Sequence, residues 1–124
     1  GGLASRAEAL AGLLNEHGIP TEASASILTE KWRKLMLNVA MSATSGLTGL
    51  TIGGVASLPP LALIARRAMD EAAAVAQAWG IDLPREARYR VFDGIVGSGA
   101  ARNKTSMRRD IEAGRPSEVE AIYG

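Results

Sequence analysis

Apolar residues recur every three to four positions along almost the whole chain, and that period is helical. Leu3, Ala7, Leu10 and Leu14 set the first run, and His17-Gly18-Ile19-Pro20 ends it with a glycine stop and a proline just beyond. A longer helix is predicted over 27–44, where Leu28, Trp32, Leu35, Val39 and Ala43 form one stripe. Glycines 46, 49, 53 and 54 are expected to loosen the chain after it, because glycine costs backbone entropy inside a helix. Pro59-Pro60 suits a helix start, the stretch 61–79 is alanine-rich with few breakers, and Gly80 closes it. After a connector over 81–84, helices are predicted over 85–96 and about 104–113. Ser117-x-x-Glu120 has capping-box spacing and is expected to open a last helix. Alternating strand patterns are nearly absent. The expected fold is all-α, a single helical bundle over 1–124.

Composition narrows what such a bundle can do. With 47% hydrophobic and 22% charged residues the chain is a folded globular domain rather than a disordered one. A net charge of +1 argues against nucleic acid and anionic membranes as partners. No cysteine is present, and His17 is the single histidine, so disulfides, thiolate chemistry, zinc–sulfur sites and histidine-rich metal sites are excluded. His17 is expected at a helix C-terminus, interacting with the dipole. The four methionines read as core filler. Apolar stretches are interrupted too early to span a bilayer, and no charged-then-apolar leader is visible, so a cytoplasmic setting is expected. The chain starts without methionine and stops at Tyr123-Gly124 inside a predicted helix, which suggests a piece of a longer protein; its long apolar helices leave self-association open.

Two stretches carry candidate chemistry. Lys34, Asn38 and Ser42 lie at i, i+4 and i+8, so an otherwise apolar helix presents an aligned polar row. An ammonium and an amide one turn apart can reach the same small oxygenated ligand, although a solvated helix edge would look the same. The second stretch, 103–120, crowds polar residues around a Gly114-Arg115-Pro116 break. Ser106 falls at the start of a short helix, where backbone N–H groups favour an anion, and Glu118 falls in the first turn of the last helix. Caps and turn chemistry would account for both. Arg108, Arg109 and Asp110 read as solvent-facing. Gly97-x-Gly99 is followed by Arg102 where a dinucleotide loop has its third glycine, and no strand precedes it, so no nucleotide loop is expected here.

Taken together, "EKWRKLMLNVAMSATSGLTG" and "SMRRDIEAGRPSEVEAIYG" resemble the C-terminal domain of the ketopantoate reductase (2-dehydropantoate 2-reductase) family. Trp32, Lys34 and Asn38 match its Trp-x-Lys-x3-Asn helix. Ser106, Met107, Asp110, Gly114, Arg115, Glu118 and Gly124 match its later, more specific motif, and the likeness covers about 26–124. The resemblance implies the helical half of a 6-phosphogluconate-dehydrogenase-like two-domain reductase, with NADPH held mainly by an N-terminal Rossmann domain absent from this sequence. It implies reduction of a 2-oxo acid, 2-dehydropantoate, to pantoate on the way to pantothenate and coenzyme A. Lys34 would be the catalytic proton donor, Asn38 a substrate contact, Ser106 the carboxylate contact and Glu118 the contact at the substrate's hydroxyl end. Ser42 stands where the family commonly has a second asparagine, one turn beyond the first. That departure admits a homologous reductase of another small 2-oxo acid, and a non-catalytic helical interaction module is the reading from a different class. Alone, the chain is expected to turn nothing over.

Overall fold

A computed structural model describes residues 2–124 and folds them as helices with no strand among them. The seven α-helices are α1 (Leu3–Glu16), α2 (Ile27–Thr48), α3 (Ile52–Ser57), α4 (Pro59–Ala78), α5 (Arg85–Gly94), α6 (Ser106–Glu112) and α7 (Val119–Tyr123), with one 3-10 turn at Gly99–Arg102. Among the described residues, no helix is long and apolar enough to cross a membrane.

The core is the seam between α2 and α4. Met36, Ala40 and Met41 of α2 face Ala62, Ala65, Met69, Ala73 and Ala76 of α4, and all are buried. Alanine on the α4 side lets the two backbones approach while the flexible methionines fill what remains. Met36, Met41, Met69 and Met107 are each no more than 3% exposed, as expected of filler. The buried face of α2 does not follow the stripe read from the sequence: Leu28 is 62% exposed, and the buried apolar positions are 36, 40 and 41, one or two residues off it. Phe92 of α5 and Leu83 ahead of it close one end of this seam.

Ion pairs and aromatic contacts fasten α5 to α4. Arg88 donates to Asp70 at 2.6 Å and Tyr89 donates its hydroxyl hydrogen to the same carboxylate at 2.7 Å. Arg88 also donates to the Leu83 carbonyl, and Arg66 pairs with Asp93 while its guanidinium lies 5.3 Å and 5.4 Å from the Tyr89 and Phe92 rings. Burial pushes the Asp70 carboxyl up, but the bonds from Tyr89 and Arg88, with the Arg88 and Arg85 charges, outweigh it and hold the group below the usual carboxylate range.

Several element ends differ from the sequence expectation. Helix α2 runs through Gly46 and ends only at Gly49, whose φ of 67° is the left-handed C-cap that glycine takes freely. Gly46 is where α6 crosses: a Cβ there would lie 3.0 Å from Ile111 Cδ1 and 3.5 Å from Met107 Cγ. Packing, not helix propensity, decides that position. Gly53 and Gly54 sit inside α3 rather than in a loose segment, because the Thr51 hydroxyl caps that helix by accepting from the Gly54 N–H at 3.2 Å. The capping box at Ser117 does not form; α7 begins one residue late, after Glu118, with no side-chain cap. Helix α1 is loosely packed, with only Ala11 buried and Leu3 83% exposed. His17 caps its C-terminus, with Nδ1 2.9 Å from the Leu13 carbonyl oxygen.

Candidate active site

Lys34, Asn38 and Ser42 occupy three successive turns of α2, spanning about 12 Å at 1.5 Å rise per residue. All three line one cleft of about 360 Å3. Its opposite wall is the segment leading into α6 and the first turn of that helix, including Lys104, Ser106 and Arg109, with Met41, Ile52 and Ile95 as apolar lining. Ser106 therefore shares a cavity with Lys34 although 72 positions separate them in sequence. Two contacts bring the walls together. The missing side chain at Gly46 lets α6 lie against α2, and the Ile52 N–H donates to the Asn103 carbonyl at 3.0 Å, tying the strap before α6 to α3.

The lining groups differ in what they can do. Ser42 is 3% exposed and contributes a short hydroxyl to the lining. Asn38 offers a carboxamide with both donor and acceptor, while Lys34 is exposed and supplies a mobile ammonium. Ser106 is the first residue of α6, not its cap; Thr105 caps it, its buried hydroxyl accepting from the Arg108 N–H at 3.2 Å. Lys34 also borders a second cavity of about 610 Å3 beside the N-terminal half of α2, walled mainly by apolar groups such as Leu37, Met69, Leu83 and Val91. The lysine thus stands on the rim between two openings. Among the described residues, no cluster of histidine and carboxylate groups could hold a metal ion.

Glu118, which the resemblance gives as the contact at the substrate's hydroxyl end, is exposed at the start of α7 and does not line the cleft. Arg109, read from the sequence as solvent-facing, is exposed and also borders the cleft, whereas Arg108, read the same way, is only 14% exposed at its side chain. Helical spacing contained the signal: position 109 is three residues after 106 and shares its face. Around it the remaining charges are paired, Lys104 and Arg108 with Glu112 at 2.7 Å each and Arg115 with Asp110 at 2.7 Å. Hydrogen bonds from Lys104 and then Arg108 hold the Glu112 carboxyl below its ordinary range. Tyr123 is a second residue that no sequence pattern singled out. Its hydroxyl accepts from the Ala43 N–H and lies 3.0 Å from the Asn38 and Val39 carbonyl oxygens, to which it donates. It thereby joins the backbone ladder of α2 at the step from Val39 to Ala43.

The fold and the cleft define an all-helical domain whose longest helix shares a polar, cation-lined pocket with a short helix late in the chain. The chain belongs to the ketopantoate reductase C-terminal domain family: residues 26–124 match the family model described as ketopantoate reductase PanE/ApbA C terminal. It is 29% identical to the 2-dehydropantoate 2-reductase of Halobacterium salinarum over 97% of this chain and 39% of that protein. It is 33% identical to the protein of that name from Mesorhizobium japonicum, over 85% of this chain and 31% of the relative. For that from Archaeoglobus fulgidus the figures are 30%, 100% and 41%. The chain therefore spans about two fifths or less of the length of these curated relatives.

Proposed function

We propose that this chain is the substrate-binding half of an NADPH-dependent 2-oxo-acid reductase of the cytoplasm that reduces 2-dehydropantoate to pantoate. The observation that carries the reading is the shared cleft: an ammonium, a carboxamide and two hydroxyls from α2 and α6 surround one small cavity in a chain whose relatives are named 2-dehydropantoate 2-reductase. On this reading the rest of the enzyme is an N-terminal Rossmann-type domain, and NADPH bound there supplies the hydride. Lys34 donates a proton to the ketone oxygen as the hydride reaches the carbonyl carbon, so the developing alkoxide leaves as an alcohol. Asn38 and Ser42 hydrogen-bond the substrate, and Ser106 holds its carboxylate. The role of Glu118 at the substrate's hydroxyl end draws on the family resemblance alone.

In the protein carrying both domains, Lys34→Ala is expected to lower kcat by about 10²–10⁴-fold, the usual worth of a positioned general acid. NADPH affinity, set on the other domain, should stay within about threefold of wild type, a change of less than one tenfold step in binding. Turnover that survives the substitution removes Lys34 as proton donor. Ser42 favours one second reading, a reductase of another small 2-oxo acid, because its hydroxyl is shorter than the amide common at that position in the family and has one donor instead of two. A panel of 2-oxo acids ranked by kcat/KM separates the two. The chain alone, without a domain to hold nicotinamide against the carbonyl, is expected to be inactive.

A further inference from the structure

We infer that Arg109 is a substrate-binding residue, supplying the positive charge that selects a free carboxylate on the ligand; the inference rests on the reductase reading above. Three cations line the cleft, Lys34, Lys104 and Arg109, and among the described residues no Asp or Glu lines it. The charge along its lining is therefore wholly positive, on side chains that are all exposed to solvent. Lys104 pairs with Glu112 at 2.7 Å, a carboxylate that it shares with Arg108, its neighbour outside the cleft. Arg109 has no carboxylate within 4.0 Å among the described residues, although every other arginine from 108 onwards has one. Lys34 is committed to the ketone oxygen in the proposed reaction. The hydroxyls and the amide of the cleft can orient a carboxylate but cannot balance its charge. Arg109 is the remaining cation.

Its placement fits the role. Ser106 and Arg109 are at i and i+3 of α6, so they leave the helix on one face and both reach the cavity. A serine hydroxyl and a guanidinium together offer one neutral and up to two charged donors to a planar carboxylate, with the planar fork matching the two oxygens. Across the cleft, Lys34 and Asn38 are left for the carbonyl one bond away from that carboxylate. The arrangement therefore recognises a 2-oxo acid by both ends of its oxalyl-like head, and should reject the same ketone when the carboxylate is masked.

The test uses the two-domain protein and two probes with the same ketone, 2-dehydropantoate and its uncharged lactone. For Arg109→Gln the ratio of kcat/KM for the acid to that for the lactone is expected to fall about 10–100-fold, the usual worth of a charged hydrogen bond. Most of the change should appear in KM for the acid. Arg109→Lys, which keeps the charge but not the fork, should recover part of the ratio. A ratio unchanged in Arg109→Gln while the wild type reduces the acid overturns the inference and leaves the reductase reading standing. Equilibrium binding of 2-dehydropantoate by titration calorimetry covers the other case. If the wild type binds the acid without reducing it and Arg109→Gln weakens binding by the same factor, the carboxylate site stands and the reaction assignment fails. Should the wild type neither bind nor reduce the acid, both are overturned.

Discussion

Removing the Tyr123 hydroxyl should loosen the middle of α2 without touching the core. The oxygen accepts from the Ala43 N–H at 3.0 Å and faces the Asn38 and Val39 carbonyls at 3.0 Å each, so Tyr123→Phe deletes one accepted and one shared donated hydrogen bond. A net bond contributes about 0.5–1.5 kcal/mol. Tyr123 is 39% exposed, so water can replace part of the loss, and the expected cost is about 1 kcal/mol, near the lower end for two bonds. For a domain of this size that lowers Tm by about 3–5 °C. The phenyl ring remains, so the α2–α4 seam should be unaffected, and hydrogen exchange should quicken at Ala43 more than at Met69. A Tm within a degree of wild type, with exchange at Ala43 unaltered, would refute the view that α7 holds α2 through this hydroxyl. The pH dependence gives an independent check. Burial raises the Tyr123 phenol pKa above its ordinary 10.0, against the lowering effect of the Ala43 hydrogen bond. A group whose folded pKa is raised stabilises fully below the unfolded value and loses that contribution as pH climbs through the folded one. Wild type should therefore lose stability above about pH 10 in a step that Tyr123→Phe lacks.

Two further outcomes follow from the packing. Gly53→Ala would place a Cβ 2.7 Å from the Ala101 Cβ and 2.9 Å from the Ala101 carbonyl oxygen, contacts that backbone must move to relieve, and should cost about 1–3 kcal/mol in urea unfolding. No loss would mean that α3 and the 3-10 turn are not pressed together. Asp70→Asn removes a carboxyl held below its ordinary value of 3.8, so the difference from wild type should be present at neutral pH and vanish as pH falls through the folded value. Because Asp70 is 37% exposed, the difference is expected to be under about 1 kcal/mol, read from paired denaturation curves at about pH 7 and pH 2.5. A difference that persists at the acid end would assign the effect to packing instead of charge.

Much of the secondary structure was legible because its signals are local. The period of the apolar residues indicated α2, an alanine-rich stretch with few breakers indicated α4, Gly18 and Gly80 marked two C-termini with φ of 76° and 74°, and Pro59-Pro60 marked a start. The polar row Lys34, Asn38 and Ser42 was legible for the same reason, since side chains four apart on a helix always align. What lay opposite that row was not. Ser106 and Arg109 reach it only because α6 crosses α2 at Gly46, and no local rule distinguishes a glycine that ends a helix from one that admits a neighbour. The same limit hid Tyr123, an aromatic in a five-residue helix whose hydroxyl finds partners 80 and more positions away. It also misplaced the capping box, where a short helix takes its start from its docking on α2 more than from its own cap. By itself the sequence determined that the chain is helical, where most helices lie and which face of α2 is polar, because those depend on neighbours within a turn or two. Only the tertiary structure decided which distant groups share a cavity with Lys34 and which charges there remain unpaired, because these depend on how closely two backbones can approach.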